Sequence, residues 1–269
     1  MKTVNSEHTF SKELLQHLHI LTQDGKINQD SNRKLKQILH LNQFIIPLLK
    51  KIEDHDFTLI DVGAGKSYLG FLLYDQYIKH LSHGKVIGIE AREDLIQKSV
   101  ELAQKLSFSR MHFIGKTIEE ILLDRKILQA DIVTALHACN TATDEAIRLG
   151  IQKNARSIVL IPCCQAEVAA TLKEQKRHFT KDPFLQLFRH PLHNREFGSH
   201  LTNILRCLCL EAHGYQVTVT EFVGLEHSMK NELIIAQFID QKNHQSEKDL
   251  IKLIEQFKLE KLQHRFMLA

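Results

Sequence analysis

No stretch of this 269-residue chain approaches the length of a membrane span, and the segment Met1 to Phe10 has no apolar core like that of a signal peptide. A soluble intracellular protein is the expectation. A large net charge is missing too: 35 Lys and Arg against 32 Asp and Glu leave only +3. Affinity for a polyanion must therefore come from local clusters and not from the field of the whole chain. Cysteine is sparse, five residues scattered without a framework. An odd, unframed set argues against disulfides and for free thiols in a reducing cytoplasm. Internal repeats and low-complexity linkers are also absent. What remains is enough chain for one α/β domain with a full core and appended helices.

The most informative stretch is Thr58-Leu-Ile-Asp-Val-Gly-Ala-Gly-Lys-Ser-Tyr-Leu-Gly70, an apolar strand that breaks at a glycine pair and restarts as a helix. Gly63 and Gly65 lack Cβ atoms, so the backbone there can turn sharply and lie against a ligand, and Ser67 is placed to cap the following helix. A second apolar run, Val86-Ile-Gly-Ile-Glu90, ends in a carboxylate suited to the two hydroxyls of a ribose. Spacing separates three cofactor classes. A Walker phosphate loop ending in Gly65-Lys66-Ser67 needs its first glycine where Ile60 stands. A dinucleotide fingerprint needs a small residue where Tyr68 stands. What remains is Asp-x-Gly-x-Gly followed by a strand ending in Glu, the layout of a Rossmann-like site for S-adenosyl-L-methionine.

Along the chain, 11–22 and 31–52 read as helices, with Pro47 expected to kink the second. Strands near 57–62, 85–90, 110–114, 130–136 and 156–161 alternate with helices near 67–80, 92–106, 117–124 and 141–152. This alternation predicts a parallel sheet covered on both faces. After a helix near 199–213, two β-rich runs, 216–223 and 232–239, predict a strand pair that closes the sheet with its last strand reversed. Residues 246–265 read as a charged terminal helix. The organisation expected is an N-terminal helical extension over 1–55, a class I, mostly parallel α/β domain over 56–240 and a C-terminal helix over 241–269.

The ends of the fourth and fifth strands carry the second informative group, Leu136-His-Ala-Cys-Asn-Thr-Ala-Thr-Asp144 and Ile161-Pro-Cys-Cys-Gln165. Carboxyl ends of strands form the ligand crevice of an open α/β sheet, so His137, Cys139, Cys163 and Cys164 should converge beside the cofactor. These two motifs resemble the methyltransferase family that includes the animal glutathione-S-transferase-C-terminal-domain-containing protein and its bacterial relatives. They are also similar to the catalytic domain of a eukaryotic tRNA 2′-O-methyltransferase and to ribosomal-RNA-adenine-dimethylase-domain-containing proteins. The resemblance runs from about Lys34 to Ile239 and extends to the loop Glu226-His-Ser-Met-Lys-Asn231. It implies a Rossmann-like methyltransferase fold. The chain departs from the pattern at Asn140, where animal relatives usually carry glycine, and at Gln165.

On this reading Asp61, Gly63, Ala64, Gly65 and Tyr68 surround the methionine part of the cofactor with Leu136, Glu90 and Ala91 hold the ribose, and Lys116 and Thr117 lie near adenine. The thiols have four readings: small buried hydrophobes, a nucleophile adding to a pyrimidine, zinc ligands with His137, or walls of the transfer pocket. His137 is either a base that takes a proton from a hydroxyl or amine acceptor or a core histidine. Cys207 and Cys209, two apart on a helix, read as structural.

The segment from Thr171 to Arg195 concentrates charge, with Lys173, Lys176, Arg177, Lys181, Arg189 and Arg195 against Glu174 and Asp182, a local +4. It suits RNA phosphates, with Phe179, Phe184 or Phe188 available to stack on bases. The plain alternative is a solvated helix with its phenylalanines turned to the core. RNA is the favoured acceptor and no membrane is expected as a partner. A protein or small-molecule acceptor, or an inactive cofactor-binding module, stays open.

Overall fold

A computed structural model describes residues 10–27, 29–123, 129–136, 141–162, 166–179, 183–222 and 232–268. The chain order is α1 Lys12–His17, α2 Gln29–Lys50, β1 Thr58–Val62, α3 Tyr68–Gln76, β2 Lys85–Ile89, α4 Glu93–Lys105, β3 Met111–Ile114, α5 Ile118–Leu123, β4 Ile132–Leu136, α6 Thr141–Gln152, β5 Ser157–Ile161, α7 Glu167–Glu174, α8 Pro191–Ala212, β6 Tyr215–Glu221, β7 Glu232–Phe238, α9 His244–Gln256 and α10 Gln263–Phe266. Short helical turns lie at Ile78–His80, Gln175–Phe179, Pro183–Phe188 and Glu260–Leu262.

The strands form one 7-stranded sheet in the order β3-β2-β1-β4-β5-β7-β6. Pairings from β3 through β5 are parallel, and β7 runs antiparallel to both β5 and β6. The reversed last strand read from the sequence is therefore present. Strand side chains alternate between faces, and here both faces are covered. Ile60, Val133, Ile158, Leu160 and Ile234 pack on the side of α5, α6, α8 and α9. Leu59, Ile132, Val159 and Leu233 pack on the side of α1, α2 and α3. This double burial explains why the central strands are apolar without a break, as parallel strands covered twice must be. Each side chain so enclosed contributes about 1.5–3 kcal/mol by leaving water.

Helix α2 continues through Pro47 to Lys50. Two differences from the sequence reading have local causes. Helix α1 stops at His17 because the chain turns at His19, whose φ of 55° is left-handed. The expected terminal helix is divided: α9 ends at Gln256, Lys258 adopts φ 53°, and the chain doubles back so that Leu259 and Phe266 are buried against the core.

Candidate cofactor site

The order of strands reverses between β1 and β4, and the crevice of an open α/β sheet lies at that switch, outside the carboxyl ends. There the chain leaves β1 through Gly63 and Gly65, at φ 65° and 58°, a region open to glycine and strained for most other residues. Ala64 N–H donates to the Ile89 carbonyl (2.9 Å) and Gly65 N–H to Glu90 Oε2 (2.8 Å), which tie the loop to the end of β2. Ser67 does not cap α3 with its side chain, as its composition suggested. It sits at φ 52°, its N–H closes the loop onto the Ala64 carbonyl (2.7 Å), and its buried hydroxyl points at Gly70, where a Cβ would stand 2.7 Å away.

The loop borders a cavity of about 270 Å³ lined by Asp61, Gly63, Ala64, Gly65, Lys66 and Tyr68, and closed by Leu69, Arg92 and Leu136. Six of the cofactor residues expected from the sequence thus meet in one place. Glu90 stands in the wall behind Gly65, and Ala91 is exposed beside it. Glu90 is 9% exposed and accepts from the Arg92 backbone N–H (3.2 Å) and Nε (3.0 Å) as well as from Gly65. Burial alone would raise its pKa. The hydrogen bonds from Arg92 and Gly65 and the Arg92 charge outweigh it and hold the carboxylate below its ordinary range.

Asp61 is the opposite case. It is 2% exposed, accepts one hydrogen bond from the Thr134 hydroxyl (2.8 Å), and has no ion-pair partner among the described residues. Burial pushes its pKa up to about 7 against the pull of Thr134. Of the expected adenine residues, Thr117 is engaged locally: its N–H and hydroxyl both donate to Glu120 Oε2 (2.7 and 2.9 Å), a reciprocal box at the start of α5. Lys116 is exposed next to it.

His137, Cys139, Cys163 and Cys164 lie outside the described residues. The strands that lead to them are adjacent and in register, with Leu136 opposite Ile161. Cys207 is half-buried and Cys209 buried in α8, and burial pushes both thiols up to about 12. Neither is a thiolate at neutral pH. No cluster of three or more metal-ligating side chains occurs among the described residues. No described helix is long and apolar enough to cross a membrane.

Sequence reasoning missed what Asp144 does. Its Oδ1 accepts from Arg206 Nε (2.6 Å) and its Oδ2 from Arg265 Nε (2.7 Å), and Arg265 also reaches Glu167. Arg206 is fully buried and donates in addition to Asn203 Oδ1 (3.1 Å). The motif aspartate therefore fixes the first turn of α6, next to the 137–140 connection, to α8 and α10. The available signal was an arginine set within the apolar face Leu201, Leu205, Cys209, Leu210. Thr134 was also missed, although a hydroxyl in the apolar run Ile132-Val-Thr-Ala-Leu136 marks a polar partner across the sheet, and Thr134 lies in register with Asp61.

The residues present fit S-adenosylmethionine: a left-handed amide cradle, an ionised acid at the end of β2, and a buried acid that faces the same cavity with no cation among the described residues. A family model, Methyltransferase domain, matches residues 33–171, just over half of the chain. The glutathione S-transferase C-terminal domain-containing protein of Mus musculus is 26% identical over 233 residues, 79% of this chain and 34% of that protein. Its Homo sapiens counterpart is 27% identical over 233 residues, with the same shares. The chain thus spans about a third of the length of the curated relatives it matches. Among solved structures, magnesium protoporphyrin IX methyltransferase from Synechocystis PCC 6803 with bound S-adenosylhomocysteine superposes with a TM-score of 0.47 and 14% identity, covering 84% of this chain and 95% of that one. A putative caffeoyl-CoA O-methyltransferase from Staphylococcus aureus gives 0.47 at 10% identity, with 87% and 95% covered. By its family match, strand order and loop, the chain belongs to the methyltransferase domain family, with S-adenosylmethionine as the cofactor.

Proposed function

We propose that this chain, through a catalytic domain over 56–240, transfers the methyl group of S-adenosylmethionine to RNA in the cytoplasm. The observation that carries the acceptor is the basic segment after β5, at the carboxyl edge of the sheet: Lys173, Lys176, Arg177, Arg189 and Arg195 are all exposed. Lys181 lies outside the described residues. Arg195 pairs with Glu196, which offsets part of this charge, whereas the segment's acid Glu174 is itself met by Lys261. Ion pairs this exposed contribute at most about 1 kcal/mol, so phosphates can compete for the arginine. Phe188 is half-buried against the core, Phe184 is 37% exposed and meets Phe257 edge to face (5.6 Å), and the Phe179 side chain lies outside the described residues.

When bound, the cofactor supplies a methyl group on a cationic sulfur, open to in-line displacement by an acceptor atom. Glu90 accepts the ribose hydroxyls in place of part of the Arg92 guanidinium. The amides of the Gly63 to Gly65 loop meet the cofactor carboxylate, Asp61 its ammonium, and Lys116 and Thr117 border the adenine. His137 takes the proton from the acceptor hydroxyl or amine, and Cys139, Cys163 and Cys164 wall the transfer pocket without forming a bond to substrate. Holding donor and acceptor in attack geometry supplies much of the acceleration.

The test is incubation with methyl-labelled cofactor and separate RNA, protein and metabolite fractions. Label in RNA supports the reading, and label confined to protein or metabolites moves the acceptor elsewhere.

A further inference from the structure

A second concavity, about 410 Å³, lies between the turn after α1, the start of α3 and the outer face of α4. It shares Lys66 and Tyr68 with the cofactor cavity, so the two are neighbours. Its floor is apolar, made by Leu18, Tyr68, Leu95 and Leu102, and its rim is basic, with His19, Lys66, Lys98 and Lys105. Glu101 is the one acid of the lining. The Tyr68 hydroxyl donates to the Leu18 carbonyl (3.1 Å), which fixes the ring as a wall between the two cavities. Lys66 and Lys105 make no ion pair among the described residues, and Lys98 faces Asp94 at 3.8 Å with both side chains well exposed. Such a pair is screened and readily exchanged.

An apolar, partly aromatic floor beneath a cationic rim matches a ligand with a flat body and an anionic edge. We propose that this groove is a nucleotide subsite, taking one unstacked base of single-stranded RNA between Tyr68 and the α4 leucines, with the adjoining phosphates on Lys98, Lys105 and Lys66. Recognition of RNA by splayed bases on aromatic rings and phosphates on lysines is the general mode for single strands. The groove adds an aromatic and apolar surface to the phosphate contacts of the basic segment after β5, and it lies on the other side of the cofactor cavity. The strand would thus be gripped on both sides of the transfer point. This assignment rests on RNA as the acceptor.

The experiment uses the full chain and a short single-stranded RNA carrying 4-thiouridine. Photo-crosslinks are mapped by mass spectrometry, and RNA affinity is followed against salt for wild type and for Lys98→Gln with Lys105→Gln, two exposed positions away from the cofactor cavity. The expected result is adducts in 17–19, 66–68 or 95–105, and a double variant whose log–log salt slope is shallower by about 1.4, two contacts at roughly 0.7 each. RNA binding with adducts only in 173–195 and an unchanged slope would overturn the groove and leave the acceptor standing. No RNA binding by folded wild type would overturn both.

Discussion

Two buried carboxylates, Asp61 and Asp144, occupy opposite electrostatic situations in one domain. Asp144 meets two arginines and is part of the architecture, because its charge is matched before anything binds. Asp61 has a threonine hydroxyl and, among the described residues, no cation, and its pKa stands near 7. A buried acid that the fold leaves unmatched is costly to ionise, and a cationic ligand removes that cost. The contrast separates a residue that ties helices together from one that waits for a ligand, although both are buried aspartates of the same domain.

Four substitutions sharpen this contrast, in descending order of expected effect. Arg206→Met strands part of the Asp144 charge in a dry environment and should cost about 3–5 kcal/mol of unfolding free energy, read by urea titration. A loss under 1 kcal/mol would mean that Arg265 alone suffices.

Asp61→Asn should act in the opposite direction. Because the folded pKa is raised from 3.8 to about 7, wild type and variant should be similar near pH 4. The wild type then loses stability relative to the variant as pH climbs through 7, by up to about 4 kcal/mol, with a plateau above. Melting curves across that range check the sign, and a pH-independent difference would refute an unmatched Asp61. The same variant should bind S-adenosylmethionine more weakly, while wild-type affinity rises with pH up to about 7.

Glu90→Gln removes the ionised acceptor and should weaken cofactor binding by roughly 1.5–3 kcal/mol, on the order of ten- to a hundredfold by calorimetry. Unchanged affinity would take the ribose away from Glu90. The smallest effect is expected from Thr134→Val, about 1 kcal/mol, together with a further upward movement of the Asp61 titration followed by carboxyl NMR.

The alternation of strands and helices, the reversed last strand and the cofactor loop were legible because their signals are local. Uninterrupted apolar runs mark strands buried twice, and Asp61, Gly63, Gly65 and Glu90 stand within two short segments. Features set by distant partners were not legible. The role of Asp144 depends on Arg206 and Arg265, 62 and 121 residues away. The break after α9 depends on a left-handed lysine that no residue preference announces. Helix α8 begins at Pro191, eight residues before its apolar periodicity becomes readable at 199, because the first turns carry polar and basic side chains. Ser67 had a capping residue's composition and took a loop-closing conformation instead, since two glycines ahead of it had already turned the chain.

The Arg265 to Asp144 contact also closes a long loop of chain. Closing 121 residues costs only slightly more chain entropy than closing the 73 that bring Thr134 to Asp61, because that cost grows with the logarithm of length. The far end of the chain is thereby tied to the first turn of α6, and loss of α10 would leave Asp144 with Arg206 but without Arg265.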